Sequence, residues 1–296
     1  MGTPLYAKEI LEELIKSKEF EVVLVVTQMD KKVGRKKILT PPPVKVLANE
    51  YNIEVLQPKS LRDEEVVKKI KSLKPDFIVV AAFGMLLPKE ILKIAPSINL
   101  HASILPKYRG ASPIQQAILN CDRYSGVTAM LMDEGLDTGE MLGFRYVKIE
   151  NLRVDEVTKL LTTQAAKLTL SVLREFERLN PIKQLHSNAS VCKKIKKEDG
   201  LVDFSDAKEL ITKFRAFFGW PGVFLENGVK LIDIELVESS LENQEGKILE
   251  ILKDSIIVGC KKGKIKINMV QPKSKSKMSA KAYIVGQRKR VGDSFI

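Results

Sequence analysis

The sequence predicts an α/β chain in two parts, a larger domain on a parallel sheet followed by a smaller β-barrel-like domain. Three observations carry this. Strand-like apolar runs at 20–27, 53–56, 76–83 and 97–102 alternate with helical periodicity at 5–18, 44–51, 61–73 and 112–120, the pattern of a parallel α/β sheet. From about residue 223 onward short strands follow one another, broken by the turn signals Asn227-Gly228 and Lys262-Gly263. A length of 296 residues, 44% of them hydrophobic, suits two domains with a full core.

Each element has a local reason. In 5–18, Ile10, Leu11, Leu14 and Ile15 share one helical stripe. The runs 20–27 and 76–83 are nearly continuous in apolar residues, as in strands buried on both faces. The segment 28–43 holds Lys31, Lys32, Arg35, Lys36 and Lys37 with Gly34 and three prolines, and reads as an exposed basic loop. Strands are expected at 126–132 and 141–149, and one long helix at 154–179. Residues 1–184 form the expected catalytic domain. A polar, lysine-rich linker spans 185–202, and 203–296 forms the β domain, beginning with a helix at 207–217. In Lys264-Ile-Lys-Ile, alternation places isoleucines inside and Lys264 and Lys266 outside.

Composition narrows the function. No apolar run approaches the ~20 residues of a membrane span, and the N-terminus lacks the layout of a signal peptide. Cys121, Cys192 and Cys260 are scattered without metal spacing, so reduced thiols, a cytoplasmic location and no metal are expected. The net charge of +12 is uneven. Residues 246–296 carry 13 Lys or Arg against 3 acids, a balance of +10 that leaves +2 elsewhere. A solvated lysine face is the plain reading, but such asymmetry also suits a polyanion partner.

The chemistry centres on 97–110. Asn99 and His101 lie two apart on a short strand and so share a face. Asp137 sits between Gly135 and Gly139, where a mobile backbone can bring its carboxylate to His101. Amide, imidazole and carboxylate without a Ser or Cys nucleophile suit acyl transfer to an amine. Asn99 and an imidazole N–H can donate to the developing oxyanion, while Asp137 holds the imidazole tautomer. An α-amino group titrates near about 7.7 and needs no covalent intermediate to attack. Taken alone, Asn-x-His at a strand end is more often structural. The site's place at the end of a parallel strand favours a ligand.

The runs Asn99-Leu-His101-Ala-Ser-Ile-Leu-Pro106, Arg109-Gly-Ala-Ser-Pro-Ile114 and Asp133-Glu-Gly-Leu-Asp137-Thr-Gly139 resemble the signature of the folate-dependent formyltransferases. Thr27-Gln28, Gly34-Arg35, Pro43-Val-Lys45, Phe218-Gly-Trp-Pro221 and Gln271-Pro extend the likeness over nearly the whole chain. The resemblance implies a Rossmann-like, mostly parallel sheet N-domain and an OB-fold-like β-barrel C-domain. It implies 10-formyltetrahydrofolate as cosubstrate, held by Ser103, Ile104, Leu105 and Pro106, and initiator methionyl-tRNA as acceptor. Arg35, Lys36, Lys37, Lys264 and Lys266 would face the tRNA, with no membrane partner and a monomeric protein. The loop Asp30-Lys31-Lys32-Val33-Gly34-Arg35-Lys36 departs from the family's usual Asp-Arg-Pro-x-Gly-Arg-Gly, and Ala81-Ala-Phe83 stands where a tyrosine is usual. Small-amine acceptors (glycinamide ribonucleotide or an amino sugar) fit the same three residues but leave the basic segments unexplained. A folate hydrolase or a non-catalytic RNA-binding module is the third reading.

One further expectation concerns the first residues. The family carries an apolar strand before Gly-Thr-Pro, whereas here Met1 directly precedes Gly2-Thr3-Pro4. The functional polypeptide is therefore expected to start roughly 8–10 residues upstream, by the length of a typical strand. A slot one strand wide is expected between 20–27 and 76–83, or else a collapse of the two.

Overall fold

A computed structural model describes residues 1–34 and 36–296. The chain divides into two compact units. One comprises Met1–Ile114, Arg123–Ile149 and Glu156–Lys193; the other comprises Gln115–Asp122, Glu150–Asp155 and Lys194–Ile296.

The first unit opens with α1 (Leu5–Ser17), whose stripe of Ile10, Leu11 and Leu14 is buried as its periodicity requires. The helix ends where Lys18 turns left-handed (φ 56°). β1 (Val25–Val26) pairs in parallel with β4 (Val55–Leu56). Between them, β2 (Lys31–Val33) and β3 (Ile38–Thr40) form an antiparallel hairpin where sequence reading expects a loop. Every described residue of it is exposed, so no apolar face marks it in the sequence. α2 (Pro43–Glu50) follows, with proline in its first turn, where the missing N–H costs nothing. α3 (Glu64–Ser72) is capped by Asp63, which accepts from the Glu65 N–H.

Then come β5 (Ile78–Val80), α4 (Lys89–Leu92), β6 (Ser97–His101) and β7 (Arg109–Gly110), and α5 (Pro113–Leu119), most of which belongs to the second unit. They are followed by β8 (Tyr124–Leu131), β9 (Met141–Lys148), α6 (Val154–Glu175) and β10 (Val191–Cys192). The largest sheet of this unit runs β5-β6-β8-β9. β5 and β6 are parallel, with Val80 beside Asn99, but β6–β8 and β8–β9 are antiparallel. The sheet is therefore mixed, not mostly parallel. A parallel return needs a crossover of a dozen or more residues, and 132–140 between β8 and β9 is too short for one. Ile98, Leu100 and Met130 are fully buried and seat β6 in the core.

The slot between β1 and β5 is present. Residues 20–24 do not pair with 76–77, and a cavity of about 420 Å³ lies between Phe20, Val22 and Leu24 on one side and Asp76, Phe77 and Val79 on the other. Met1 and Gly2 fill its end. The Gly2 N–H donates to the Val26 carbonyl (3.1 Å), and the Ala81 N–H donates to the Met1 carbonyl (3.0 Å). β1 is accordingly two residues long where the apolar run predicts eight, because a strand without a ladder partner is not held as one.

The second unit begins its helical part with α7 (Ala207–Ala216), capped by Asp206 on the Lys208 and Glu209 N–H groups. β11 (Val223–Phe224), β12 (Lys230–Glu242), β13 (Ile248–Ile251), β14 (Ile256–Gly259), β15 (Lys262–Gln271) and β16 (Met278–Ser279) follow, then α8 (Ala280–Gly286). The sheet order is β11-β12-β15-β14-β13, with β16 on β15, and all pairings are antiparallel. Among the described residues no pairing joins β11 to β13, so this is an open path of strands and not a closed barrel. Ile265 and Ile267 are fully buried and Lys264 and Lys266 partly exposed, as the alternation requires.

Candidate active site

β6 places the site. Its period of two puts Asn99 and His101 on one face, while Leu100 turns the other way into the core. Tyr6 fixes the strand further by donating its hydroxyl to the Leu100 carbonyl (3.1 Å). Asp137 approaches from the loop 132–140 with a left-handed backbone (φ 54°). The three side chains that the sequence singles out are thus together. Asp137 Oδ1 accepts from Asn99 Nδ2 at 3.3 Å, and its Oδ2 lies 3.6 Å from His101 Nδ1. Oδ2 also accepts from the Gly110 N–H at 2.8 Å, the shortest contact of the carboxylate.

The imidazole has one nitrogen committed. Nε2 lies 2.9 Å from the Tyr108 carbonyl, and a carbonyl only accepts, so Nε2 carries a hydrogen. Nδ1, on the Asp137 side, is the nitrogen left for proton exchange. His101 and Asp137 side chains are 6% and 11% exposed, so water screens their interaction little.

Nearby hydroxyls and thiols are not poised to attack. Ser103 Oγ donates to the Lys107 carbonyl (2.6 Å), and Ser112 Oγ donates to the Lys193 carbonyl. Cys192 Sγ sits 3.4 Å from the Tyr108 carbonyl and 3.3 Å from that of Arg109, and burial pushes its pKa up. A thiol held protonated is a poor nucleophile. No group of three or more His, Cys, Asp or Glu among the described residues is placed to hold a metal.

The loop 103–106 turns half inward. Ser103 and Leu105 are buried, and Thr128 stitches the loop by donating to the Ser103 carbonyl and accepting from the Leu105 N–H. Ile104 and Pro106 are partly exposed and form its accessible edge. Lys36 and Lys37 lie exposed in the hairpin turn, and Arg35 lies outside the described residues. Below the hairpin, Lys45 reaches Asp30 (2.9 Å) and Gln57 (2.7 Å). In the second unit, Lys266 is 3.5 Å from Glu235, and Lys264 stands opposite Glu238, so both lie on a face of mixed charge.

Sequence reading missed several neighbours. Gly110, Gln184 and the carbonyl of Tyr108 all touch the trio or its loop. Gln184 and Gly110 act through one side-chain amide and one backbone N–H, which no residue-type pattern marks.

A buried carboxylate, an imidazole with one nitrogen not bound to a carbonyl and an amide donor, without an activated nucleophile, suit direct group transfer to an incoming nucleophile. The comparisons give that class a family. A formyl transferase model matches residues 1–173, and the model of the formyl transferase C-terminal domain matches 194–288. A protein of Sulfurovum sp. named methionyl-tRNA formyltransferase is 53% identical over 297 residues, covering 100% of this chain and 98% of the relative. A protein of the same name from Nitratiruptor sp. is 55% identical with the same coverage. The chain belongs to the formyl transferase family. Solved structures share the fold. An N-formyltransferase from Helicobacter canadensis, in complex with folinic acid and dTDP-3-aminofucose, matches with a TM-score of 0.66 at 19% identity, covering 90% of this chain and 96% of that one. HypX from Aquifex aeolicus in complex with tetrahydrofolic acid matches with 0.62 at 20% identity, over 89% of this chain and 46% of that one. No described helix is long and apolar enough to cross a membrane.

Proposed function

We propose that this protein transfers the formyl group of 10-formyltetrahydrofolate to the α-amino group of initiator methionyl-tRNA, giving N-formylmethionyl-tRNA for translation initiation. The observation that carries the chemistry is the convergence of Asn99, His101 and Asp137 at the end of β6. The acceptor is supported by relatives of that name at 53–55% identity, covering 98% of each.

The cosubstrate supplies the formyl group; the chain supplies the donors and the proton path. Asn99 Nδ2 has a second N–H beyond the one aimed at Asp137, and directs it at the oxygen that gains charge as the amine attacks. His101 Nδ1 takes the proton that the amine sheds and returns it to the departing folate nitrogen. Asp137 offsets the charge of the imidazolium that forms in between. Nε2–H on the Tyr108 carbonyl keeps the ring from turning.

Ile104 and Pro106 offer the folate an apolar edge, with Ser103 and Leu105 shaping the loop from within. The exposed turn with Lys36 and Lys37, together with Arg35, Lys264 and Lys266, meets tRNA phosphates. Residues 1–184 act as catalytic domain and 203–296 as an OB-fold-like tRNA-binding domain. The protein works as a cytoplasmic monomer.

The test incubates the protein with labelled 10-formyltetrahydrofolate and one acceptor at a time: initiator methionyl-tRNA, glycinamide ribonucleotide, a dTDP-amino sugar or none. Label in the tRNA alone is expected. Label in a small amine, or release as formate at equal rate without acceptor, would sink the reading.

A further inference from the structure

Asp137 sits in a loop whose exposed tip is tethered by a surface ion pair of Glu134 with Lys89 (2.9 Å), a kind of contact worth little. Asp133, Glu134, Gly135 and Leu136 are exposed, and Asp133 braces the loop only internally, accepting from Gly135 N and Thr138 Oγ1. A left-handed non-glycine residue is strained and persists where its surroundings hold it. The carboxylate is held by the Gly110 N–H and Asn99, but the backbone carbonyl of Asp137 is held by one side chain. Gln184, 5% exposed, donates through Nε2 to the Asp137 carbonyl (2.9 Å) and to the Gly139 carbonyl (2.7 Å). Both of its amide hydrogens are therefore engaged on the loop.

Gln184 is itself gripped from behind. Its Oε1 accepts from Arg109 Nε at 3.0 Å and Nη2 at 2.7 Å, so the planar guanidinium fork fixes the plane of the amide. Arg109 is 7% exposed and has no carboxylate within ion-pair distance among the described residues. Its Nη1 is 3.2 Å from His186 Nδ1; arginine only donates, so that nitrogen accepts. Arg109 directly precedes Gly110, whose N–H holds the Asp137 carboxylate. A closed ring results: Asp137 carboxylate, Gly110 N–H, Arg109 side chain, Gln184 amide, Asp137 carbonyl. The ring leaves the loop no free rotation about the Asp137 backbone.

We propose that Gln184, oriented by Arg109, is the positioning residue that sets Asp137 against Asn99 and His101. The kinetic part of this inference rests on the formyl-transfer reading; the structural part does not. Gln184→Glu is the discriminating variant. A carboxylate there keeps the Arg109 contact and adds charge attraction to it, yet it can donate to neither carbonyl. Turnover should fall by about 10²-fold, the cost of a misplacement near 1 Å. KM for methionyl-tRNA and for the folate should stay within about threefold, since neither partner's surface is changed. Hydrogen exchange at the Gly110 amide reports the carboxylate directly, and its protection should drop in the variant while the amides of β8 stay protected.

Unchanged turnover or unchanged Gly110 protection in a folded Gln184→Glu protein overturns the proposal. Should that variant not fold, Arg109→Lys replaces the fork by a single ammonium, and the same two readouts must move together, in the same direction and less far. If the parent protein transfers no formyl group to methionyl-tRNA, the functional reading fails, and the Gly110 exchange still decides whether Gln184 positions Asp137.

Discussion

Asp137→Asn is the change that tests the site most sharply. The carboxylate accepts on both oxygens: Gly110 N–H at 2.8 Å and Asn99 Nδ2 at 3.3 Å, with His101 Nδ1 at 3.6 Å beside the first. A carboxamide of the same shape has one acceptor oxygen. If that oxygen keeps Gly110, the new NH2 faces the NH2 of Asn99. If it turns to Asn99, the NH2 faces the Gly110 N–H and His101. Either orientation contains one donor–donor contact and no negative charge beside the imidazole. Losing a hydrogen bond to a charged group costs about 1.5–3 kcal/mol. Expressed fully in the transition state, that is a rate loss of about 10- to 150-fold. Displacement of Asn99 as oxyanion donor adds to it, so a total of about 10²–10³ is expected. Single-turnover formyl transfer at saturating folate and tRNA isolates this step. Stability should fall by the same 1.5–3 kcal/mol, or several degrees in Tm. A folded Asp137→Asn protein with turnover within about threefold of the parent would falsify the assignment.

Further expectations follow from other parts of the molecule. Asn99→Ala combined with His101→Ala should cost less in turnover than the product of the single losses, because groups acting as one unit are non-additive; independent effects would separate them. Neutralising Lys36 and Lys37 should raise KM for tRNA, leave that for folate alone and flatten the fall of log K with log salt by about one to two phosphate contacts; an unchanged slope reduces the hairpin turn to a solvated charge run. A thiol reagent at pH 8 should label exposed Cys121 in the native protein and reach Cys192 and Cys260 only on unfolding. Burial pushes Cys260 up to about 12 from 9.0. The unfolded thiol ionises first, so stability is full below about pH 9 and is lost as pH rises toward 12, by about 4 kcal/mol at most. A Cys260→Ala protein with the same alkaline stability profile would contradict this.

Much of the molecule is written in local pattern. The stripe of Ile10, Leu11 and Leu14 marks α1, the alternation of Ile265 and Ile267 marks the buried face of β15, and the spacing of Asn99 and His101 puts both on one face of a strand. These follow from periods of 3.6 and 2 that the chain carries whatever its surroundings. The cavity beside β1 also lies where the sequence reading expects a slot, between 20–27 and 76–83.

What local pattern does not carry is pairing partner and direction. Tyr124–Leu131 and Met141–Lys148 read as strands, but their antiparallel return is set by the length of the loop between them. The run 20–27 keeps only Val25 and Val26 as strand, because only these two find a ladder partner, in Val55 and Leu56, which the run itself does not name. The hairpin of β2 and β3 has no buried face among its described residues to announce it. The same holds at the site. That Asn99, His101 and Asp137 belong together is visible in residue type and motif. That Asp137 is held by Gly110 N–H and, through its carbonyl, by Gln184 depends on contacts 27 and 47 residues apart. One of these is a backbone group that every residue but proline possesses. Composition and spacing choose the chemistry; only the folded chain aims a generic N–H and a single amide at one carboxylate.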